Sequence, residues 1–149
     1  MSTINHLEQL KSFIGKEFTN TPSPFMNWLR PTVLSAEEGQ LSFQYRVRKE
    51  MTNPFGALHG GVSAAIIDDI LGAAVFSLNE AHFYTTINNV IDYFSTAKEN
   101  DFIIAETKIN KKGKQFINAQ CEIWNADKTR LIAKGYSNLF KTEIKNGQE

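Results

Sequence analysis

The sequence predicts an α+β domain in which one long helix lies against a single antiparallel sheet of about five to six strands. Three observations carry this. From Leu41 the apolar positions repeat every second residue, with Leu41, Phe43, Tyr45 and Val47 alternating with Ser42, Gln44, Arg46 and Arg48, as in a half-buried strand. Residues 59–78, HGGVSAAIIDDILGAAVFSL, are apolar on nearly every side and too long for a strand. Four extended stretches follow, at about 82–95, 102–110, 115–125 and 131–142. One helix among antiparallel strands implies segregated layers rather than a doubly wound sheet.

Ile4, Leu7, Leu10, Phe13 and Ile14 recur at helical spacing, and Asn5 with Glu8 three residues later forms a capping-box pattern. An amphipathic helix is therefore expected over about 3–15. NTPSP breaks it, and FMNWLRP is apolar but too short to classify. EEGQ reads as a turn, which makes TVLSA the first arm of a hairpin. After the long helix, Ile103, Ala105, Thr107 and Ile109 form one core face, and Ile117, Ala119, Cys121 and Ile123 another. The separators AKEND, KKGK and NADKT are turn-like and predict successive antiparallel hairpins. The whole reads as one domain over 1–149, with a short tail at about 143–149. A sheet alone does not cover so apolar a helix, so a partner is expected to help.

The chain has 149 residues, 16 basic and 16 acidic. Zero net charge argues against a general nucleic-acid binder. The lone Cys121 excludes an intramolecular disulfide and favours a reducing compartment. The N-terminus has no secretory pattern, and no apolar run approaches the ~18 residues of a membrane span. A soluble, cytoplasmic protein is expected. His6, His59 and His82 show no metal-ligand spacing, so a zinc site is not expected.

The long helix breaks two local rules. It opens on His59-Gly60-Gly61, although each glycine is worse than alanine in a helix by about 1 kcal/mol. It also carries Asp68 and Asp69 in an apolar run, where a carboxylate is costly to bury unless it is paired or used. The first N–H groups of a helix lack intrahelical partners. Bare glycines there let a ligand oxygen approach the backbone, which suits a carbonyl gaining negative charge; a tight loop-to-helix turn is the alternative reading. Asp68 lies nine residues beyond His59, on the opposite side of the helix and ~13 Å further along. One chain cannot bring both to one atom. A site using both needs two copies, Asp68 of one beside Gly60 of the other, and hence a two-fold dimer with two equal sites. The same geometry denies Ser63, His59 and Asp68 a triad, leaving Ser63 as a packing residue. Asp68 and Asp69 differ by ~100°. Asp68 is expected to face the site, part-buried and with a raised pKa, and Asp69 to reach solvent or a salt bridge.

NPFGALHGGVSAAIIDD, TTINNVIDYFSTAKEND and KKGKQFINAQCEIWNADKTRLIAKG together resemble the hot-dog-fold acyl-CoA thioesterases of the phenylacetate-pathway type, over about 34–140. The resemblance implies hydrolysis of an acyl-CoA to free acid and CoA without a cofactor. It gives Asp68 the role of general base or nucleophile. It implies that the Gly60 N–H polarises the thioester carbonyl and that His59 fixes the loop geometry and aids the carbonyl or the leaving thiolate. Asn53 places the carbonyl or the water, and Thr86 holds water near the acid. A one-residue slip would select Thr85 instead. Homodimers, paired into tetramers, are also implied. Asn88 and Thr96 depart from the family pattern, where an acid and a proline are common.

Gly61 and Phe55 are further candidates for substrate contact. Phe25, Met26, Trp28, Leu29, Phe76 and Phe83 are candidates for an acyl pocket, although such aromatics are as readily core. Lys111, Lys112 and Lys114 surround Gly113 in one turn; a solvated tip is the plain reading and contact with CoA phosphates the second. Two rivals remain. A hot-dog dehydratase lacks its histidine-entry pattern here, and a non-catalytic acyl-CoA or fatty-acid binding protein would not need Asp68.

Overall fold

Alternation decides which face of each strand meets the long helix. In the computed structural model, which describes residues 4–147, the elements are α1 (His6–Ser12), α2 (Pro24–Leu29), β1 (Thr32–Glu37), β2 (Gln40–Arg46), α3 (Gly60–Phe76), β3 (His82–Tyr93), β4 (Phe102–Lys112), β5 (Phe116–Asn125) and β6 (Leu131–Lys145). A 3-10 turn at Lys49–Met51 follows β2. The inward residues Leu41, Phe43 and Tyr45 of β2, Ile103 and Ala105 of β4, and Ile117, Ala119, Cys121 and Ile123 of β5 are all buried. They pack on Ile66, Ile67, Ile70 and Leu71 of α3, forming one core between helix and sheet. Six antiparallel strands in the order β1-β2-β4-β5-β6-β3 make the sheet, so the predicted layer arrangement and strand count hold. No helix among the described residues is long and apolar enough to cross a membrane.

One expectation about pairing fails. β3 does not form a hairpin with β4; it lies at the far edge beside β6, while β4 pairs with β2. The segment read as a hairpin turn, AKEND, crosses the end of the sheet instead. Leu58 N–H donates to the Ala97 carbonyl, and Val47 exchanges hydrogen bonds with Asn100 and Asp101. Those backbone groups are satisfied by the loop before α3 and the end of β2, so the chain is carried across the sheet as it reverses, and β3 and β4 do not become neighbours. The EEGQ, KKGK and NADKT turns do close hairpins.

The N-terminal helix is shorter than expected. Asn5 caps it by accepting from the Glu8 N–H at 3.1 Å, it ends at Ser12, and residue 3 of the predicted range lies outside the described residues. FMNWLRP forms most of α2, started by Ser23 as N-cap and Pro24 in the first turn, a placement that suits proline's fixed φ and missing N–H. β6 continues to Lys145, into the expected tail.

A close contact sets α3 against the sheet. A Cβ on Gly135 of β6 would stand 2.9 Å from Ile67 Cγ2 of α3 and 3.3 Å from Ile91 Cγ1 of the neighbouring strand, so glycine lets α3 approach β6. On the outer face, a ladder of side-chain amides runs one way across four strands. Asn110 donates to Asn118 at 3.1 Å, Asn118 to Asn138 at 2.9 Å, and Asn138 to Asn88 at 3.0 Å.

Candidate active site

The mouth of α3 is built by its own first residues. His59 is the N-cap: its Nδ1 accepts from the Gly61 N–H at 2.9 Å. A Cβ on Gly61 would meet that ring at 3.0 Å, which explains glycine there. The Gly61 N–H is therefore committed to the imidazole, and its candidacy for ligand contact rests on its missing side chain alone. Among the described residues the Gly60 N–H has no hydrogen-bond partner, whereas its carbonyl accepts from the Tyr93 hydroxyl at 3.0 Å. Asn53 organises the loop ahead of the mouth: its Oδ1 accepts from the Phe55 N–H at 2.9 Å and the Ala57 N–H at 3.1 Å. Phe55, between them, is 93% exposed.

Asp68 sits elsewhere, on the exposed side of α3. Its Oδ1 accepts from Thr86 Oγ1 at 2.9 Å and from Asn89 Nδ2 at 3.0 Å. Thr86, not Thr85, is thus the residue beside the acid. The register explains this: Thr86 pairs with Leu139 and Asn88 with Asn138, so Ile87 is an extra residue, a β-bulge. Asn89 in turn accepts a hydrogen bond from Ser137 Oγ. Ser63 is buried packing, as read from the sequence.

The two acids exchange their expected environments. Asp68 is exposed, whereas Asp69 is half-buried, and its Oδ2 has no hydrogen-bond partner among the described residues. Burial, then the charge of Asp68, pushes the Asp69 carboxyl up to about 7. The buried Tyr45 hydroxyl is likewise unpartnered, and burial followed by the charge of Asp69 raises its pKa. The 100° turn separates the two acids as predicted; which of them faces inward depends on how the sheet curves around α3. Cys121 is buried and its thiol is pushed up by burial, so it is no nucleophile.

A cavity of about 660 Å³ opens beside Asp68 and Thr86 and runs along the C-terminal half of α3. Leu10, Met26, Ala73, Phe76, Phe83 and Leu139 give it an apolar wall. Of the aromatic and aliphatic pocket candidates, Met26, Phe76 and Phe83 line it. Leu29 is fully buried core. Phe25 and Trp28 stack on each other, with Arg48 over the indole. Lys112 is ion-paired with Glu80, which puts the lysine turn at the C-terminal end of α3, away from Gly60. Lys111 and Lys114 are exposed. The sequence reading missed Asn89, Ser137 and Tyr93. Asn89 lies three residues from Thr86, a spacing that puts them on opposite faces of a regular strand.

Residues 55–132 match the model of the thioesterase superfamily. Human acyl-coenzyme A thioesterase 13 is 30% identical over 104 residues, covering 70% of this chain and 74% of its own. Mouse thioesterase superfamily member 2 superposes with a TM-score of 0.73 at 29% identity, over 94% of this chain and 98% of its own. A Streptococcus mutans protein bound to acetyl CoA shares the fold at a TM-score of 0.71 and 22% identity, over 76% and 89% of the two chains. With a six-stranded sheet, a long helix entered through His-Gly-Gly and these relatives, this chain belongs to the thioesterase superfamily.

Proposed function

We propose that the chain hydrolyses acyl-CoA thioesters in a two-fold dimer, with each site shared between copies. The observation that carries this is Asp68: one carboxylate oxygen is held by Thr86 and Asn89, and the residue stands at the mouth of an apolar cavity. The Gly60 N–H, unpartnered at a helix start, supplies the donor for the thioester oxygen. Asn53 orders the loop beside it, and His59 holds the first turn. Asp68 of the second copy then takes a proton from water as the water attacks, or attacks the carbonyl itself to give a mixed anhydride that water hydrolyses; the C–S bond breaks and CoA leaves as the thiol, taking up the proton that water gives up.

Three features support a second copy. A two-fold laying Gly60 against the partner's Asp68 passes beside Ala64, midway between them, and the helix surface there is small: Gly61, Ala64 and Ala65 are not buried. β3 is a 12-residue edge strand exposing Ile87 and Val90, and an unblocked edge of that length invites strand pairing. Phe55 stands almost wholly in solvent, within reach of a partner crossing the mouth. Pairing of such dimers into tetramers, and a cytoplasmic home, belong to the same reading. The cavity follows α3 from Asp68 to Phe76, about 12 Å by helical rise, and so fits an extended fatty-acyl chain better than a compact aryl group.

The test is complementation. Asp68→Asn lowers kcat on medium-chain acyl-CoA by about 10² or more. Gly60→Pro removes the N–H at a position where proline fits a helix. Remixed as subunits, these two inactive variants recover about a quarter of parental activity, because half of random dimers are hybrids and each hybrid has one intact site. No recovery, with hybrids shown to form, rejects the shared site. Full activity in Asp68→Asn removes the catalytic role of Asp68; no turnover of any acyl-CoA by the parent leaves the binding-protein reading.

A further inference from the structure

Resting on the catalytic reading of Asp68, we infer that Asn89, locked in orientation by Ser137, is a positioning residue that fixes which oxygen of Asp68 faces the substrate. The argument begins with the bulge. In an even strand, residues three apart point to opposite faces. The extra Ile87 shifts the phase, so that Thr86 sits opposite Leu139 and Asn89 opposite Ser137, two positions of β6 that share the inner face. Both β3 side chains therefore reach the same oxygen, Asp68 Oδ1. Two donors on one oxygen hold the carboxylate against rotation and leave Oδ2 for the reaction.

Asparagine suits this place because its side chain is two-ended. A carboxylate only accepts, so the Nδ2 end must face Asp68. The carbonyl end must then meet a donor, and the hydroxyl of Ser137, 1% exposed, supplies it. Ser137 does not itself line the cavity; its hydroxyl bears on the acid through Asn89. Without that hydroxyl the amide can turn over and present oxygen to oxygen. The small residue also fits the core: Ser137 lies two residues from Gly135, where Ile67 of α3 packs close to the strand.

The test uses the full-length protein. Asn89→Leu keeps the shape but removes both ends, and is expected to lower kcat about ten- to a hundredfold, the range for a hydrogen bond to a charged group, with KM changed less than about threefold. Ser137→Ala gives a smaller loss in the same direction. The double variant is no worse than Asn89→Leu, because the hydroxyl has nothing left to orient. Asn89→Asp supplies a pH signature. Its added carboxyl can donate to Asp68 only when protonated, so its activity relative to the parent rises as pH falls from about 8 to about 6; a purely structural loss would not follow pH in this way.

Asp68→Asn separates the two levels. If it turns over normally, the catalytic reading fails. If it is inactive while Asn89→Leu keeps its kcat, loses only through KM, or adds its loss to that of Ser137→Ala, the Asn89 role alone is overturned. Independently of turnover, the side-chain amide signals of Asn89 in a ¹H–¹⁵N spectrum shift in both Asp68→Asn and Ser137→Ala; unmoved signals also overturn it.

Discussion

The two ends of the exposed side of α3 are built on different principles. At the N-terminus the useful group is backbone: the Gly60 N–H, kept free while His59 takes the neighbouring Gly61 N–H. Midway along, the useful group is a side chain, Asp68, held by side chains from an edge strand. The first depends on what is missing, a Cβ and a partner; the second depends on added hydrogen bonds. Neither is a complete hydrolytic site, and the helix separates them by roughly two turns. In the proposed dimer a second copy reverses the order and brings the two halves together.

Removing either half should have a large effect, and the variants divide cleanly. Gly60→Pro is expected to lower kcat by about 10²–10³, the range for one oxyanion donor, while circular dichroism and dimer mass stay parental. Gly60→Ala keeps the N–H, and its Cβ would stand at ordinary contact, 3.4 Å from Tyr93; it should retain most of the activity. Equal losses in the two variants would mean that bulk, not the amide, matters at the mouth.

A medium effect concerns stability at the acid end. Asp69 ionises near 3.8 in the unfolded chain but is pushed to about 7 in the folded one. Between those values the folded state keeps a proton that the unfolded state has lost, so stability falls as pH rises from about 4 to about 7 and is level above. Asp69→Asn removes that slope. Thermal melts should show the variant and parent equal near pH 4, with the variant increasingly the more stable up to pH 7. Parallel curves would mean that Asp69 finds a partner in the assembled protein.

The smallest effect belongs to the lysine turn. Replacing Lys111, Lys112 and Lys114 with glutamine should raise KM for acyl-CoA a few-fold and steepen nothing else, with kcat unchanged and the difference fading at high salt. An unchanged KM leaves these lysines as a solvated tip.

The strand faces were legible because a half-buried strand writes its burial as alternation: Leu41, Phe43 and Tyr45, like Ile117, Ala119 and Cys121, are inward as read. The pairing order was not legible. AKEND has the composition of a turn, and only the contacts of Ala97 and Asn100 with distant segments show that it crosses the sheet. α2 was within reach, since Ser23 followed by Pro24 is a helix start. At the site, Asp68, Gly60 and His59 stood out because they break propensity rules. Asn89 breaks none, and its face depends on a one-residue bulge with no glycine or proline to announce it. The exchange of environments between Asp68 and Asp69 likewise needs the curvature of the sheet, which no local pattern contains.

The asparagine ladder bears on how an outermost strand can carry precise chemistry. Border strands fray first, yet β3 must keep Thr86 and Asn89 in place to within a hydrogen bond. Asn88 is the last rung of the ladder, and Asn89 is the next residue, facing the other way. Consecutive amides thus rivet the strand on both sides, one to the neighbouring strands and one to the helix. Because every rung points in the same sense, no single amide can flip without setting like atoms against each other at a neighbouring rung, so the outer row resists local opening as a unit.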